Sequence, residues 1–241
     1  MSQPSSNNIF PKDALFGYAN SPGFIEVIRQ MPDSDSILSD LAKVYKISYY
    51  EKDVEEEDCL VDILLIMYLF ARTGNLEGLT HTINAIPITV SNSVVYSCVL
   101  TDSLSYAAKC GHLDIVNTLI GAGSAISDQA LLFAINGGHL DIVNALIEAG
   151  VEIKECKNAL RVAALNGYSA IVCRLIEAGA TNYDIALSQA AHGGHLDVVN
   201  ILIEAGATNY DNALEGAKVK CYQDVINRLI EVGASNNDKV L

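Results

Sequence analysis

Three histidines in this 241-residue chain, His112, His139 and His195, each follow a glycine. Imidazoles in series are the first side chains to test for metal binding or acid–base work. Cys110 beside His112, or Cys221 with His195, would supply the two partners of a thiol nucleophile. Neither chemistry is completed. All three histidines belong to one recurring phrase, Gly-His-Leu-Asp-Ile-Val-Asn at Gly111 and Gly138 and Gly-His-Leu-Asp-Val-Val-Asn at Gly194. A divergent copy starts at Gly167 and an eroded one at Cys221, a period of 27 to 29 residues. Units stacked at this period lie about 10 Å apart, a helix-packing distance, whereas metal–nitrogen bonds are roughly 2 Å long. A nucleophile would also need an orienting acid and oxyanion donors. The motifs supply neither, and they contain no phosphate-cradling Gly-x-x-x-x-Gly-Lys loop or paired-carboxylate cleft. The reading is no catalytic residue, no metal and no cofactor; the histidines are assigned to the turns.

A period in this range denotes stacked supersecondary units, none able to bury its apolar face alone. All five prolines lie before residue 88 and the phrases after it, which separates an irregular N-terminal part from a regular array. Each unit reads as two short helices. The first carries Ala-Leu and an Ala pair, as at Ala159-Leu160 with Ala163-Ala164 and Ala186-Leu187 with Ala190-Ala191; the small residues permit close helix approach. The second carries Leu196, Val199, Leu202 and Ile203, one apolar stripe. Glycines 111, 138, 167 and 194 end the first helix in the left-handed conformation, and the Ala-Gly pairs from 122–123 to 205–206 end the second. Asp114, Asp141 and Asp197 fall in the first turn of the second helix, at its positive end. Thr101, Asp128, Asp184 and Asp211 are expected as N-caps of the first helices. The segment from Val151 to Lys157, two residues longer than its equivalents, is expected to be the least regular.

Composition narrows the function. Net charge is −14, from 29 acids and 15 bases, a balance that repels phosphate backbones and excludes nucleic-acid partners without a dense basic patch. The longest apolar run, Ile63 to Ala71, falls short of the roughly 20 residues a bilayer span needs, and the N-terminus lacks the pattern of a secretory signal. A soluble protein is expected. Six scattered cysteines without a Cys-x-x-Cys pair suggest buried or half-buried free thiols in a reducing compartment. The acidic run Glu55 to Asp58 reads as the charged first turn of a long apolar helix.

The phrase Gly-His-Leu-Asp-Ile-Val-Asn-x-Leu-Ile-x-Ala-Gly with the preceding Ala-Leu-x-x-Ala-Ala resembles the ankyrin repeat, most clearly over residues 98 to 234. Two departures stand out. The Thr-Pro-Leu-His that opens the family's first helix is replaced, and the units fall short of the usual period of about 33 residues. The missing residues would build the family's projecting fingers, so segments such as Ala180 to Asp184 are expected to be tight turns. The fold implied is an all-α ankyrin-repeat solenoid of helix–turn–helix units with shortened fingers. Residues 1–54 form its N-terminal helical cap and 55–241 the array, with a further unit around Leu69 to Ile86.

Members of the family bind protein partners through loop tips and the concave face of the first helices. The positions after the Ala pair vary while the framework is constant: Lys109 and Cys110, Asn136, Leu165 and Asn166, His192, Val219 and Lys220. Tyr183 and Tyr210 add aromatics at equivalent loop positions. These ten residues are the candidate partner-binding set. The expectation is a monomeric, non-enzymatic interaction protein of the cytoplasm, similar also to secreted effectors that intracellular bacteria place in a host cytoplasm. The rival is an enzyme or toxin with its activity in the N-terminal region and the repeats as a targeting module.

Overall fold

The structure, a computed structural model, describes residues 67–85, 94–154, 156 and 158–235. The expected cap over residues 1–54 and the acidic run at 55–58 lie outside them. Every regular element among the described residues is an α-helix. Residues 67–73 are helical and turn at Gly74 into α1 (Leu76–Ala85). Then follow α2 (Val94–Cys110), α3 (Leu113–Gly121), α4 (Asp128–Gly137), α5 (Leu140–Glu148), α6 (Ala159–Leu165), α7 (Ser169–Glu177), α8 (Tyr183–Gly193), α9 (Leu196–Glu204), α10 (Tyr210–Lys220) and α11 (Gln223–Glu231). The short turns expected in place of fingers are present; no described residue is in a strand.

The described residues divide between two compact units. The first holds 67–70, 77–85 and 94–99. Its core gathers Met67, Tyr68, Leu69, Phe70, Leu79, Tyr96 and Val99, and Gly78 leaves α1 bare where the Phe70 ring lies against it.

The second unit, 71–76 with 100–235, is the repeat array. Its first helices pack in one layer, α6 between α4 and α8, and α8 against α10. The second helices pack in another, α3, α5, α7, α9 and α11 in order. Leu104, Leu131, Leu160, Leu187 and Leu214 are buried between the layers, as are the Ala pairs at 163–164 and 190–191. From the second helices come Ile115, Val116 and Leu119, and their equivalents in each repeat down to Val198, Val199 and Leu202. Each such side chain contributes roughly 1.5–3 kcal/mol on full burial. The stripe thus centres one residue from the expected line: Val198 is inside, while Leu196 and Ile203 are half-buried. Between α5 and α6 the two-residue insertion has buried content of its own in Ile153 and Cys156, and α6, at 7 residues, is the shortest labelled helix.

Neighbouring repeats are joined by a contact that reuses the Gly-His pair. Each histidine lies beneath the turn of the preceding repeat and donates from Nε2 to a backbone carbonyl there. His112 reaches Arg72 O at 3.1 Å, His139 reaches Lys109 O at 3.2 Å and His195 reaches Leu165 O at 2.9 Å. The carbonyl only accepts, so the proton sits on Nε2. The rings rest against the glycine of that preceding turn, His112 on Gly74, His139 on Gly111 and His195 on Gly167, with Tyr168 on Gly138 and Tyr222 on Gly194. These glycines therefore serve two demands, a positive φ (+82° at Gly111) and the absence of a Cβ. In the last repeat Cys221 holds the same left-handed position at φ +58°, a conformation that costs a side-chain-bearing residue roughly 1–2 kcal/mol.

The cap assignment needs correcting. Helices α4, α8 and α10 begin at or before the expected aspartates, and their N-caps are Ser127, Asn182 and Asn209. Ser127 Oγ accepts from Ala130 N and Asn209 Oδ1 from Asn212 N. Thr101 lies inside α2, which starts earlier than its equivalents.

Two predictions follow from the packing. Gly111→Ala and Gly123→Ala impose similar left-handed strain, φ +82° and +88°, but a Cβ on Gly111 would lie 2.7 Å from His139 Cε1 whereas nothing stands within 4 Å of one on Gly123. Urea denaturation should show a loss of about 1 kcal/mol at Gly123 and about 2–4 kcal/mol at Gly111, where overpacking adds to strain. Ser103 is fully buried with no partner for Oγ, at the position where Ala130, Ala159, Ala186 and Ala213 stand in the other repeats. Ser103→Ala should raise stability by about 1 kcal/mol in the same assay.

Candidate functional site

The ten candidate residues fall into two groups at opposite ends of the first helices. Lys109, Asn136, Leu165, His192 and Val219 occupy one equivalent position in the last turn of α2, α4, α6, α8 and α10. Helices α4, α6, α8 and α10 pack side by side and Lys109 of α2 reaches the Phe133 ring of α4, so the five form a row across the array. Four are exposed, Val219 at 73%, and Leu165 is half-buried. Cys110, Asn166 and Lys220 follow as exposed helix ends. At that position two repeats have Gly137 and Gly193, where a Cβ would collide with His139 and His195, so glycine there serves packing. Tyr183 and Tyr210 are the first residues of α8 and α10 and half-buried. About 14 Å of helix separates Tyr183 from His192, so the tyrosines belong to a second edge of the same layer.

Sequence reasoning missed a middle row, Tyr106, Phe133, Val162, Gln189 and Gly216, one helical turn before the first. Residues three apart share a helix face, and the contacts bear this out. The Tyr106 and Phe133 rings are tilted with centroids 6.3 Å apart, and Lys109 Nζ sits 5.6 Å from the Phe133 centroid. A cation over an aromatic face is held by the ring quadrupole. The signal was available: each of these residues follows the repeated leucine by two, and the set changes from aromatic to aliphatic to polar to none. Gly216 is the bare end, where α10 approaches Ser188 and His192 of α8. Ile185, 54% exposed, adds a further apolar side chain on α8.

The aspartates expected as caps instead tie one repeat to the next. Asp184 Oδ1 accepts from Thr208 N at 2.6 Å and Asn209 N at 2.9 Å. Asp211 accepts from Ser235 N at 2.6 Å, and Asp128 from the buried Cys156 thiol at 3.0 Å. The thiols correct another expectation. The described cysteines are free, but Cys98, Cys110, Cys173 and Cys221 are exposed and only Cys156 is buried, because most sit at helix ends or outward positions rather than between layers.

The two helix layers differ in charge. On the second helices Asp114, Asp141, Asp197 and Asp224 are exposed near one end, and Glu148, Glu177, Glu204 and Glu231 near the other. Arg174 and Arg228 are the cations among them, and each donates from Nε to an asparagine of the preceding repeat, Asn144 and Asn200. On the first-helix side the carboxylates are largely engaged: Asp128, Asp184 and Asp211 as above, and Glu215 with Lys218 at 3.5 Å. Burial raises the pKa of Asp102. Lys109, Arg161, Lys218 and Lys220 stand among these carboxylates, so this layer mixes charges of both signs where the second helices are mainly acidic.

Each histidine in the repeated phrase is occupied by a carbonyl and a glycine, and the variable side chains lie together on one layer. A repeated two-helix scaffold thus carries a row of unlike side chains along its first helices. A family model described as ankyrin repeats in three copies matches residues 104–185 and 160–240, more than half of the chain, and the protein belongs to the ankyrin-repeat family. Ankyrin repeats are protein–protein interaction modules, and the fold is typically non-enzymatic. A search of curated proteins finds no match. Among solved structures the chain is similar to the ankyrin repeat domain of human ASB11, with 22% sequence identity, a TM-score of 0.59, and coverage of 70% of this chain and 84% of that one; the likeness is one of fold. No described helix is long and apolar enough to cross a membrane.

The Asp184 contact predicts a pH dependence. The backbone N–H groups of Thr208 and Asn209 favour the ionised carboxylate and hold its pKa below the ordinary value. A depressed folded-state pKa contributes stability above the unfolded value of about 3.9, and that contribution is lost as pH falls through the lower, folded value. Thermal melts of wild type should therefore drop on acidification from pH 6 through this range. Asp184→Asn should melt lower at pH 6, fall less, and approach wild type at the acid end.

Proposed function

We propose that this chain is a non-enzymatic module that captures one protein partner on the first-helix face, concave by family resemblance, with Tyr183 and Tyr210 contributing from the adjoining turns. The observation that carries the reading is the contrast within one layer. The leucine, the Ala pair and the ring-bearing turn repeat almost unchanged, while Lys109, Asn136, Leu165, His192 and Val219 at one position range from cationic through polar to aliphatic. A constant buried framework that carries variable side chains along neighbouring rows of one layer is the division a binding repeat protein uses, and this supports recognition. The working compartment is a reducing cytoplasm, where free exposed thiols persist. The shortened repeats and the Asn, Ile and Ser usage favour a bacterial or viral setting, with secretion into a host cell as the specific form. The chain acts as a monomer.

The test is affinity capture from a eukaryotic lysate with three forms of the protein: wild type, His192→Glu with Val219→Asp, and Tyr183→Ala with Tyr210→Ala. The first pair of substitutions is at exposed positions and should leave the melting temperature within about 2 °C, since surface changes are usually worth within 0.5 kcal/mol. A protein retained by wild type and reduced at least tenfold by the first variant is the expected result. Equal retention by all three forms would remove the first-helix face from the function.

A further inference from the structure

Successive repeats are tied in two ways, by a ring under the preceding turn and by an aspartate that reaches the following loop. One boundary is weak in both. Between the α4–α5 and α6–α7 repeats the ring against Gly138 is Tyr168, without the hydrogen bond to a turn carbonyl that His139 and His195 make on either side. Tyr222 stands in the same way against Gly194, but there Asp184 accepts from two backbone N–H groups. Asp128 has the Cys156 thiol instead, and a thiol is a weak donor. The helices agree. α6 has 7 residues against 11 in α8 and in α10. Its N-cap Asn158 makes no side-chain cap bond and accepts from Arg161 Nε at 3.2 Å. It packs closely along α8 but much less along α4, although α4 is nearly as long as α8.

We infer that the array has a joint at this boundary: α4 and α6 part in the first-helix layer, with α5 and α7 as the hinge, before either flanking block unfolds. The second-helix side is equipped to hold. Arg174 Nε donates to Asn144 Oδ1 across the boundary at 2.9 Å, and α5 packs on α7 as the other second helices pack on their neighbours. Stability in a stacked array resides in the interfaces between units, so the least-tied first-helix contact opens at the lowest free energy. The opening has a chemical signature. Cys156 is the buried thiol among the described cysteines, and its bond to Asp128 spans the joint, so parting α4 from α6 uncovers it. The joint also sets how far Asn136 and Leu165 can move apart, and it stands whether or not their face binds a partner.

The experiment is alkylation of the native full chain with iodoacetamide in sub-denaturing urea, with the rate at each cysteine read by peptide mass spectrometry. Single variants Ala180→Cys and Ala207→Cys place reference thiols at buried positions in the loops before α8 and α10. Any strain from the added sulfur speeds their labelling and so works against the expected order. Cys156 should react more slowly than the exposed Cys173 but at least about tenfold faster than either reference thiol. The dependence of its rate on urea should be a clear fraction of that for global unfolding, because the joint exposes part of the buried surface. Tyr168→His, which supplies the missing imidazole at the far end of α6 from Cys156, should slow Cys156 about fivefold, the worth of one added hydrogen bond. A urea dependence near zero would mean fraying of the loop alone, and one equal to global unfolding would mean no separate opening; either overturns the joint. So does a Cys156 rate no faster than the reference thiols, or one unchanged by Tyr168→His.

Discussion

The array depends on how closely one repeat can approach the next, and the limiting contact is an aromatic ring on a glycine. The rings of His112, His139 and His195 lie against Gly74, Gly111 and Gly167, and those of Tyr168 and Tyr222 against Gly138 and Gly194. The histidines also satisfy a carbonyl of the turn they support. A repeat unit of two short helices has too little apolar surface to be stable alone, so its stability lies in these interfaces. Gly-His is therefore one device divided between neighbours: the glycine receives the ring of the following repeat, and the histidine supports the turn of the preceding one. Asp184 and Asp211 add a second tie at the opposite edge of the first-helix layer.

That division explains what was readable from the chain. The period, the two-helix unit, the glycine turns and the absence of long fingers follow from local rules, and each is present. Contacts between repeats are not local. Asp128, Asp184 and Asp211 satisfy every local criterion for an N-cap, yet the N-cap positions fall on Ser127, Asn182 and Asn209, of which Ser127 and Asn209 cap with their side chains. The aspartates then bond to groups 24 to 28 residues away. The cysteines as a group were expected buried or half-buried, as cysteine usually is, but Cys98, Cys173 and Cys221 face outward. The middle row was missed for a similar reason: Phe133 and Val162 look like core residues, and only comparison of five equivalent positions marks them as variable.

The candidate surface was half legible. Lys109, Asn136, His192 and Val219 could be located because they follow the Ala pair directly, and the helix phase sets their exposure. The tyrosines were harder, since one residue of difference in where a helix starts moves a side chain from a loop tip to a first turn. No local rule distinguishes a half-buried tyrosine that packs from one that waits for a partner.

The second-helix face shows a preference that stability does not explain. Asp114, Asp141 and Asp197 sit in first turns, where an acid is favoured by about 0.3–1 kcal/mol. Glu148, Glu177, Glu204 and Glu231 end their helices, where the dipole disfavours an acid by a similar amount. A local cost repeated in four successive units is a property of the surface, because any one of these exposed positions could be Lys or Arg at no expense to the core. The result is a second-helix layer that is acidic at its ends in successive repeats and repels other acids, packed on a first-helix layer of mixed charge. Like-charge repulsion discriminates against wrong orientations as strongly as attraction selects the right one.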